Sequence, residues 1–407
     1  MKKDRFSTEA SVLFWQGLSG TTAFSGGDDH RREQRILLVN IWAFFVSGCF
    51  HIAPGMLICA NLGQRESFIT VFGPYAFGTD VTPVFLAPMS GVTDAPFRKQ
   101  ADKFGASATI TEMVAGDDLH AGRREALQRF RRPNGDATYV VQLIGRDHDS
   151  LRRGASIARN AGADVIDINM GCPSRRVTGG LSGSALMRDL EHAVSLIEAV
   201  VDGAAGTAVT LKMRLGWDRD TMNAPTLAQR AQDVGAELIT VHGRTRQDFY
   251  NGVADWATIS EVVNAVSIPV IVNGDIKDAA TAKEALQQSG ARGAMVGRAA
   301  IGLAWLPSAI EQEINTGIAA EEPSFAEQVE SLIEQAHDSV EVYGERVGIR
   351  TIRKHLAEAI SHWSQGYQQG EHEDWQALKK IACQSNTLPE LKSTLLSTLK
   401  TKLEVAA

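Results

Sequence analysis

Cys172 has the widest choice of chemistry among the residues of this 407-residue chain. It follows the alternating apolar run Val165-Ile166-Asp167-Ile168-Asn169, which reads as a buried strand. The run stops at Gly171-Cys172-Pro173, where proline ends strand pairing and glycine permits a turn. A Gly/Ser-rich loop follows over residues 178–184, and a helix is expected from near Ala185. In α/β proteins, loops that leave the carboxyl ends of strands are where sites are built. A thiol of ordinary pKa, about 8.5, is mostly protonated at neutral pH and suits a proton donor; a nucleophile needs that value lowered. Arg175 and Arg176 would lower it if they sat close, so both roles stay open at this point. Neither a Ser/His/Asp triad nor a metal-ligand cluster competes with this thiol, and no metal is expected.

Other polar residues stand in equivalent places. Runs of strand character recur at 84–87, 108–113, 139–145, 165–170, 208–213, 237–242, 268–274 and 293–297. Their carboxyl ends carry Pro88-Met89-Ser90, Glu112, Gln142, Asn169, Lys212 with Arg214, His242, Asn273-Gly274-Asp275 and Gly297-Arg298. Each is weak alone, but their amino ends show no such set. Helical segments at 184–201, 226–234, 256–266 and 277–288 alternate with the runs. Continuous apolar strands fit parallel pairing buried on both faces. Eight evenly spaced β-α pairs predict an α/β fold, a closed (β/α)8 TIM barrel, over a doubly wound open sheet.

Gly274 and Gly297 follow the seventh and eighth runs, where barrels commonly hold phosphate on backbone N–H groups. Glycine there lets the backbone approach an anion. Helix-dipole help is worth only about 0.3–1 kcal/mol at an exposed site, so a cationic partner is expected, and Arg298 is placed for it. Lys212 near a ring edge would stabilise the negative charge of a reduced flavin. A phosphate at one side and a cation over the centre describe FMN better than a sugar phosphate alone.

The ends of the chain differ from this middle. Residues 36–60 hold no Asp, Glu, Lys or Arg and are long enough to cross a bilayer. Asn40, Ser47, His51 and Pro54 interrupt them, however, and no stable membrane association is expected. Residues 1–80 are expected to be an atypical leader rather than a working domain, and Met56 is an alternative start. The barrel is assigned to residues 81–318. After the polar segment 319–323, Ser324-Phe325-Ala326-Glu327 is a capping-box signature. Val329, Leu332, Ile333, Ala336, Val340 and Tyr343 mark one face of the helix that follows it. Further helices are expected at 349–363 and 388–403, making residues 324–407 a small helical bundle. Four scattered cysteines, Cys49, Cys59, Cys172 and Cys383, suit a reducing cytoplasm. The net charge of −7 argues against a protein that coats nucleic acid everywhere, but not against local basic tracks. Arg123, Arg124, Arg129, Arg131 and Arg132 form one such cluster. Arg346, Arg350, Arg353 and Lys354 form another, spaced to share a helical face.

The segments LAPMSGVTDAPFR (86–98), QLIGRD (142–147), DINMGCPSRRV (167–177), LKMRLGWD (211–218), TVHGRTR (240–246), VNGDI (272–276) and MVGRAAIG (295–302) resemble the tRNA-dihydrouridine synthases, and among them the bacterial DusB-type branch. Arg175 and Arg176 stand where that family usually has lysines. The resemblance implies an FMN-containing oxidoreductase that reduces the C5–C6 bond of a D-loop uridine in tRNA, with NADPH or NADH as reductant. It implies Cys172 as the general acid at C5. Pro88, Met89, Ser90, Gln142, Lys212, His242, Asn273, Gly274, Asp275, Gly297 and Arg298 would be the FMN set. Asn169 and Arg214 would handle the uracil, while Arg350, Arg353 and Lys354 in the helical domain would contact tRNA. The alternative is an FMN barrel oxidoreductase acting on a small pyrimidine or enone, which would need neither basic cluster nor helical domain. An RNA-binding protein with an inactive barrel is a third reading, and the intact thiol speaks against it.

Overall fold

The strands are apolar at nearly every position because each is covered on two sides. The computed structural model describes residues 49–52, 56–59, 70–72, 75–77, 81–132, 138–366 and 372–406. The strands are β1 (Val84–Leu86), β2 (Ala108–Ile110), β3 (Thr138–Ile144), β4 (Val165–Met170), β5 (Ala208–Arg214), β6 (Leu238–His242), β7 (Val270–Asn273) and β8 (Gly293–Val296). All pair in parallel with their neighbours, and β8 pairs with β1 while β2 pairs with β3, which closes an eight-stranded barrel. The TIM barrel expected from the repeats is therefore the fold. A two-residue strand, Val114–Ala115, adds to the end of β3.

Period-two alternation sorts the side chains. Val165, Ala208, Leu238, Ile271, Met295, Phe85 and Val140 pack together inside the barrel. Ile166, Ile168, Val209, Leu211, Ile239, Val241 and Val272 face the surrounding helices. Two residues further along β4, β5 and β6 than the inner apolar layer lie Asp167, Thr210 and Thr240, and two further still lie Asn169, Lys212 and His242. The interior thus changes from hydrocarbon to polar toward the carboxyl ends, and the register sets Lys212 beside Asn169 and His242 beside Asn273.

Outside the barrel run α1 (Ala95–Lys103), α2 (Gly116–His120), α3 (Arg124–Phe130), α4 (His148–Asn160), α5 (Arg175–Thr178), α6 (Leu190–Ala204), α7 (Ala224–Asp233), α8 (Ile259–Ala265), α9 (Ala279–Ser289) and α10 (Leu306–Thr316). The helix expected from Ala185 opens instead as a 3-10 turn, Gly183–Arg188, before α6. Then follow α11 (Phe325–Tyr343), α12 (Glu345–Gly366), α13 (His372–Gln384) and α14 (Leu388–Ala406). Ser324 and Glu327 form the expected capping box of α11. These four helices own a separate core around Trp363, whose ring meets Phe325 at 4.9 Å and whose N–H donates to Gln328 at 2.8 Å.

The two cores meet along α1. Lys99 pairs with Asp338 at 2.7 Å, Lys103 with Glu334 at 2.9 Å, and the buried Ser331 hydroxyl donates to Gln100 at 2.9 Å. His355 of α12 stacks on Phe97 with ring centroids 4.4 Å apart and accepts the backbone N–H of Gly302 at 3.2 Å. The expectations for the leader fall almost wholly outside the described residues. Within them, Cys49–Ile52 pairs with Met56–Cys59 and Thr70–Phe72 with Tyr75–Phe77, both antiparallel. Among the described residues no helix is long and apolar enough to cross a membrane.

Candidate active site

A cavity of about 830 Å³ opens at the carboxyl ends of the strands. It is lined by Cys172, Asn169 and Arg214 and by all eleven residues expected to bind a cofactor, from Pro88 to Arg298. Arg350, Arg353 and Lys354 do not line it.

A chain of hydrogen bonds runs from the barrel interior to the backbone of Cys172. Asp167, fully buried, accepts from Thr210 at 2.5 Å and from the Gln142 amide at 2.7 Å. Burial raises its carboxyl to about 6. With its N–H₂ turned to Asp167, Gln142 presents its oxygen to the Asn169 amide at 2.8 Å. Asn169 must therefore point Oδ1 the other way, where it accepts the backbone N–H groups of Cys172 at 2.9 Å and Gly171 at 3.2 Å. Arg214 holds the same loop from below, donating from Nε to Gly171 O at 2.8 Å and from Nη1 to Thr245 O and Phe249 O. Ser184 closes the far end, its hydroxyl donating to Cys172 O at 2.8 Å.

Cys172 is half-buried, and burial raises its thiol pKa against the opposing pull of the Ser174 backbone, Arg214 and Lys212. Arg175 and Arg176 are exposed, and they are not among the groups acting on the thiol. The ambiguity left by their spacing resolves toward a protonated thiol.

The strand ends that follow β4 form a cationic wall. Lys212 donates to Asn273 Oδ1 at 3.0 Å, and Asn273 is oriented for this because its own N–H₂ donates to Met295 O at 2.8 Å. Burial lowers the Lys212 ammonium to about 8, with Arg214 adding to the shift. Burial, and then Arg214, Lys212, Arg244 and Arg298, hold His242 well below its ordinary value, so its imidazole is neutral. Its Nε2 faces Arg244 Nη1 at 3.2 Å; because arginine only donates, Nε2 accepts and Nδ1 carries the proton. Asp275 gathers this wall, pairing with Arg244 at 2.6 Å and with the exposed Arg298 at 3.4 Å. Asp275, expected in the cofactor set, lines the cavity and holds Arg298 at its edge.

Gly274 has a φ of +117°, and a β-carbon there would meet the His242 ring at 2.9 Å, so no other residue fits. At Gly297 a β-carbon would meet nothing closer than Ala87 and Met89 at 3.9 Å, which leaves its cavity side open to a ligand.

Several participants carry no signal at their strand ends. Asp167 sits one layer deeper in the barrel. Phe249 and Tyr250 line the mouth, with the Arg214 and Arg298 guanidinium carbons 5.6 Å and 5.2 Å from the Tyr250 ring centre. Two adjacent aromatics in a loop after His242 were the available clue. Glu112 does not line the cavity; it accepts the Gly91 N–H at 2.5 Å and fixes the loop after β1.

The second basic cluster is split by the fold. Arg346 and Arg350 are exposed on α12. Arg353 instead donates to Ser385 O at 3.0 Å at the end of α13. Lys354 turns toward the barrel, where burial lowers its ammonium and Asp94 and Glu112 oppose the shift. In the first cluster Arg123 pairs with Asp118 and Arg132 with Asp164, while Arg124 and Arg131 are exposed.

The sequence pattern of the dihydrouridine synthase (Dus) family matches residues 85–400. A probable tRNA-dihydrouridine synthase of Rhodobacter capsulatus is 46% identical over 275 residues, which cover 67% of this chain and 85% of that protein. One of Rickettsia conorii is 47% identical over 274 residues, 67% of this chain and 82% of that protein. The tRNA-dihydrouridine synthase B of Xanthomonas axonopodis pv. citri is 40% identical over 284 residues, 70% and 84% of the two chains.

Proposed function

The chain belongs to the dihydrouridine synthase family, and from that premise we propose that it reduces the C5–C6 bond of a uridine in the D-loop of tRNA, with FMN as its flavin and NADPH or NADH as reductant. The observation that carries this reading is one cavity shared by a thiol, whose loop is fixed by hydrogen bonds and whose pKa burial raises, and a half-buried lysine. The cavity volume, about 830 Å³, is in the range of about 300–1,000 Å³ that holds a cofactor-sized ligand.

The residues present fit FMN. The Gly297 side is open and the charge around His242 is positive. The exposed Arg298 shares its one carboxylate partner among the described residues, Asp275, with Arg244, which leaves its charge largely available to an anion. Arg298, Gly274 and Gly297 would hold the phosphate, and Lys212, Gln142 and Asn273 the ring edge. When bound, the flavin supplies hydride to C6 of the uracil. Cys172 then gives its thiol proton to C5, and its raised pKa keeps that proton in place at neutral pH.

Uracil recognition is assigned by counting unused donors. Asn169 has spent both oxygen sites on the loop and one N–H on Gln142, and its second N–H meets only the Met113 sulfur at 3.8 Å, a weak acceptor that a uracil carbonyl would displace. Arg214 has spent Nε and Nη1, leaving the two N–H groups of Nη2. Residues 81–318 are read as the catalytic barrel and 324–407 as the tRNA-binding unit. That second unit, with exposed Arg346 and Arg350, favours tRNA over a free pyrimidine as substrate. The test is mass spectrometry of nucleosides from a tRNA transcript treated with purified protein, FMN and NADPH. Dihydrouridine in the D-loop is expected; a protein that takes up no flavin, or leaves every uridine intact, overturns the proposal.

A further inference from the structure

Leu181 and Phe249 share an unusual pair of properties. Each is a non-glycine residue in the left-handed region, both at φ +57°, where the β-carbon crowds the backbone. Each is also exposed, at 57% and 37%. The turns that carry them are tied together. Leu181 donates its N–H to Thr178 O and Phe249 donates to Arg246 O, while Arg246 Nη2 reaches Thr178 Oγ1 at 3.4 Å. The first residues of the two turns therefore touch, and the two apolar side chains stand at the fourth positions. Glycine or asparagine would accept this backbone at lower cost, so the turns do not explain why leucine and phenylalanine stand there. Nor does packing explain Leu181, which is more than half exposed, while Phe249 keeps over a third of its surface open at the cavity mouth.

Their surroundings are cationic. Arg175 and Arg176 open α5, the short helix just before Leu181, and the Arg188 and Arg246 guanidiniums both lie over the Trp217 ring, at 4.9 Å and 4.7 Å. None of these four arginines has a carboxylate within ion-pair distance among the described residues. Phe249 lines the cavity itself, edge-on to Tyr250 at 5.1 Å. Apolar platforms set among unpaired arginines fit single-stranded nucleic acid, whose bases stack while its phosphates are neutralised.

We propose that Leu181 and Phe249 form a stacking surface for the nucleotides that flank the uridine in the cavity. They hold the strand open while Arg175, Arg176, Arg188 and Arg246 take its phosphates. This deepens the tRNA reading and rests on it.

Four flavin-loaded proteins test it: wild type, Phe249→Asn, Phe249→Trp and Leu181→Asn. Asparagine tolerates the left-handed backbone, so the substitutions remove the apolar surface and not the turn. Affinity for a labelled tRNA transcript is read by anisotropy, folding by thermal melting and product by mass spectrometry. Phe249→Asn is expected to lose about tenfold or more in affinity, the scale of one base stack, with Leu181→Asn also weaker and Phe249→Trp close to wild type. Equal affinities in all four, with dihydrouridine still formed by the wild type, overturn the stacking surface and leave the enzyme reading intact. The expected losses in a wild-type background that makes no dihydrouridine support the surface and remove the enzyme reading. Should Phe249→Asn fail to fold, Leu181→Asn and Phe249→Trp decide.

Discussion

The backbone N–H of Cys172 donates to the side-chain oxygen of Asn169 at 2.9 Å, so the thiol's loop is fastened to the last inward residue of β4. Asn169 can do this only because Gln142 and Asp167 fix which way its amide points. Replacing Asn169 with Ala frees the loop and breaks that chain. A misplacement of about 1 Å costs about a hundredfold in rate. Single-turnover dihydrouridine formation by prereduced protein is expected to slow by that order. An unchanged rate would mean that Arg214 and Ser184 hold the loop unaided.

The proposed acid role requires Cys172 to act with its proton on, which sets a sign for the pH profile. Burial raises the thiol's pKa, so the donor form persists through neutral pH and is lost only above the ordinary thiol value of about 8.5. Dihydrouridine formation should hold through neutral pH and then fall in two steps, first as Lys212 loses its proton at about 8 and again above about 8.5 as the thiol does. Cys172→Ala should abolish the product and its alkaline limb together, while NADPH still bleaches the flavin. Loss of bleaching would place the residue in a different step.

Lys212 trades stability for binding. Its ammonium is lowered to about 8 in the fold, against about 10.4 in an unfolded chain. Between those values the unfolded state holds more protons, so stability rises with pH across that window, and below it the charged lysine is a standing cost. Lys212→Met should therefore raise the melting temperature of flavin-free protein at pH 7. The same change should weaken flavin binding by about tenfold, because the cation beside the ring edge is gone. Flavin titration and melting curves on one preparation check both halves; a lower melting temperature would contradict the buried-charge argument.

The barrel was legible because its strands are short, apolar and evenly spaced; β4 runs over Val165–Met170, as its alternation predicts. The second strand was read through residue 113 but breaks after Ile110, since Glu112 turns to cap the Gly91 N–H, a partner twenty-one residues away that no local period reveals. Helix α13 was missed behind a glutamine- and glycine-rich stretch, although Trp375, Leu378 and Ala382 bury at helical spacing. Spacing also put Arg353 and Lys354 on an RNA-facing stripe. What covers a helical face depends on its neighbours, and here α13 takes Arg353 while the barrel takes Lys354. Cavity residues were found where strands end. Asp167 escaped because it lies one layer deeper.

His355 links the two cores and should control acid stability at their junction. Burial lowers its imidazole to about 3, against about 6.5 unfolded. Between those values the unfolded chain binds the extra proton, so stability falls as pH drops through that window. Asp94 and Asp167, both raised to about 6 by burial, act in the opposite direction between about 4 and 6, so the wild-type limb is shallow. His355→Gln keeps an acceptor for Gly302 but cannot titrate. Its melting temperature should decline less than the wild type's between pH 7 and 4. Parallel curves would show that His355 takes up its proton in the fold as readily as in the unfolded chain, contradicting the burial argument.

Arg350 and Arg353 lie three residues apart on α12, yet they should fail in different assays. Arg350 is exposed and free for a phosphate, so Arg350→Glu should weaken tRNA binding and make the slope of log affinity against log salt shallower by about one. Its melting temperature and flavin affinity should hold. Arg353 donates to Ser385 O, and its loss leaves that carbonyl at the end of α13 without its donor, a cost of about 1–3 kcal/mol when the group is buried. Arg353→Ala should therefore melt lower, and its tRNA affinity, measured well below that melting point, should change less than that of Arg350→Glu. If the alanine variant kept its stability and lost its salt slope instead, Arg353 would belong to the RNA surface, and the helical face would be continuous after all.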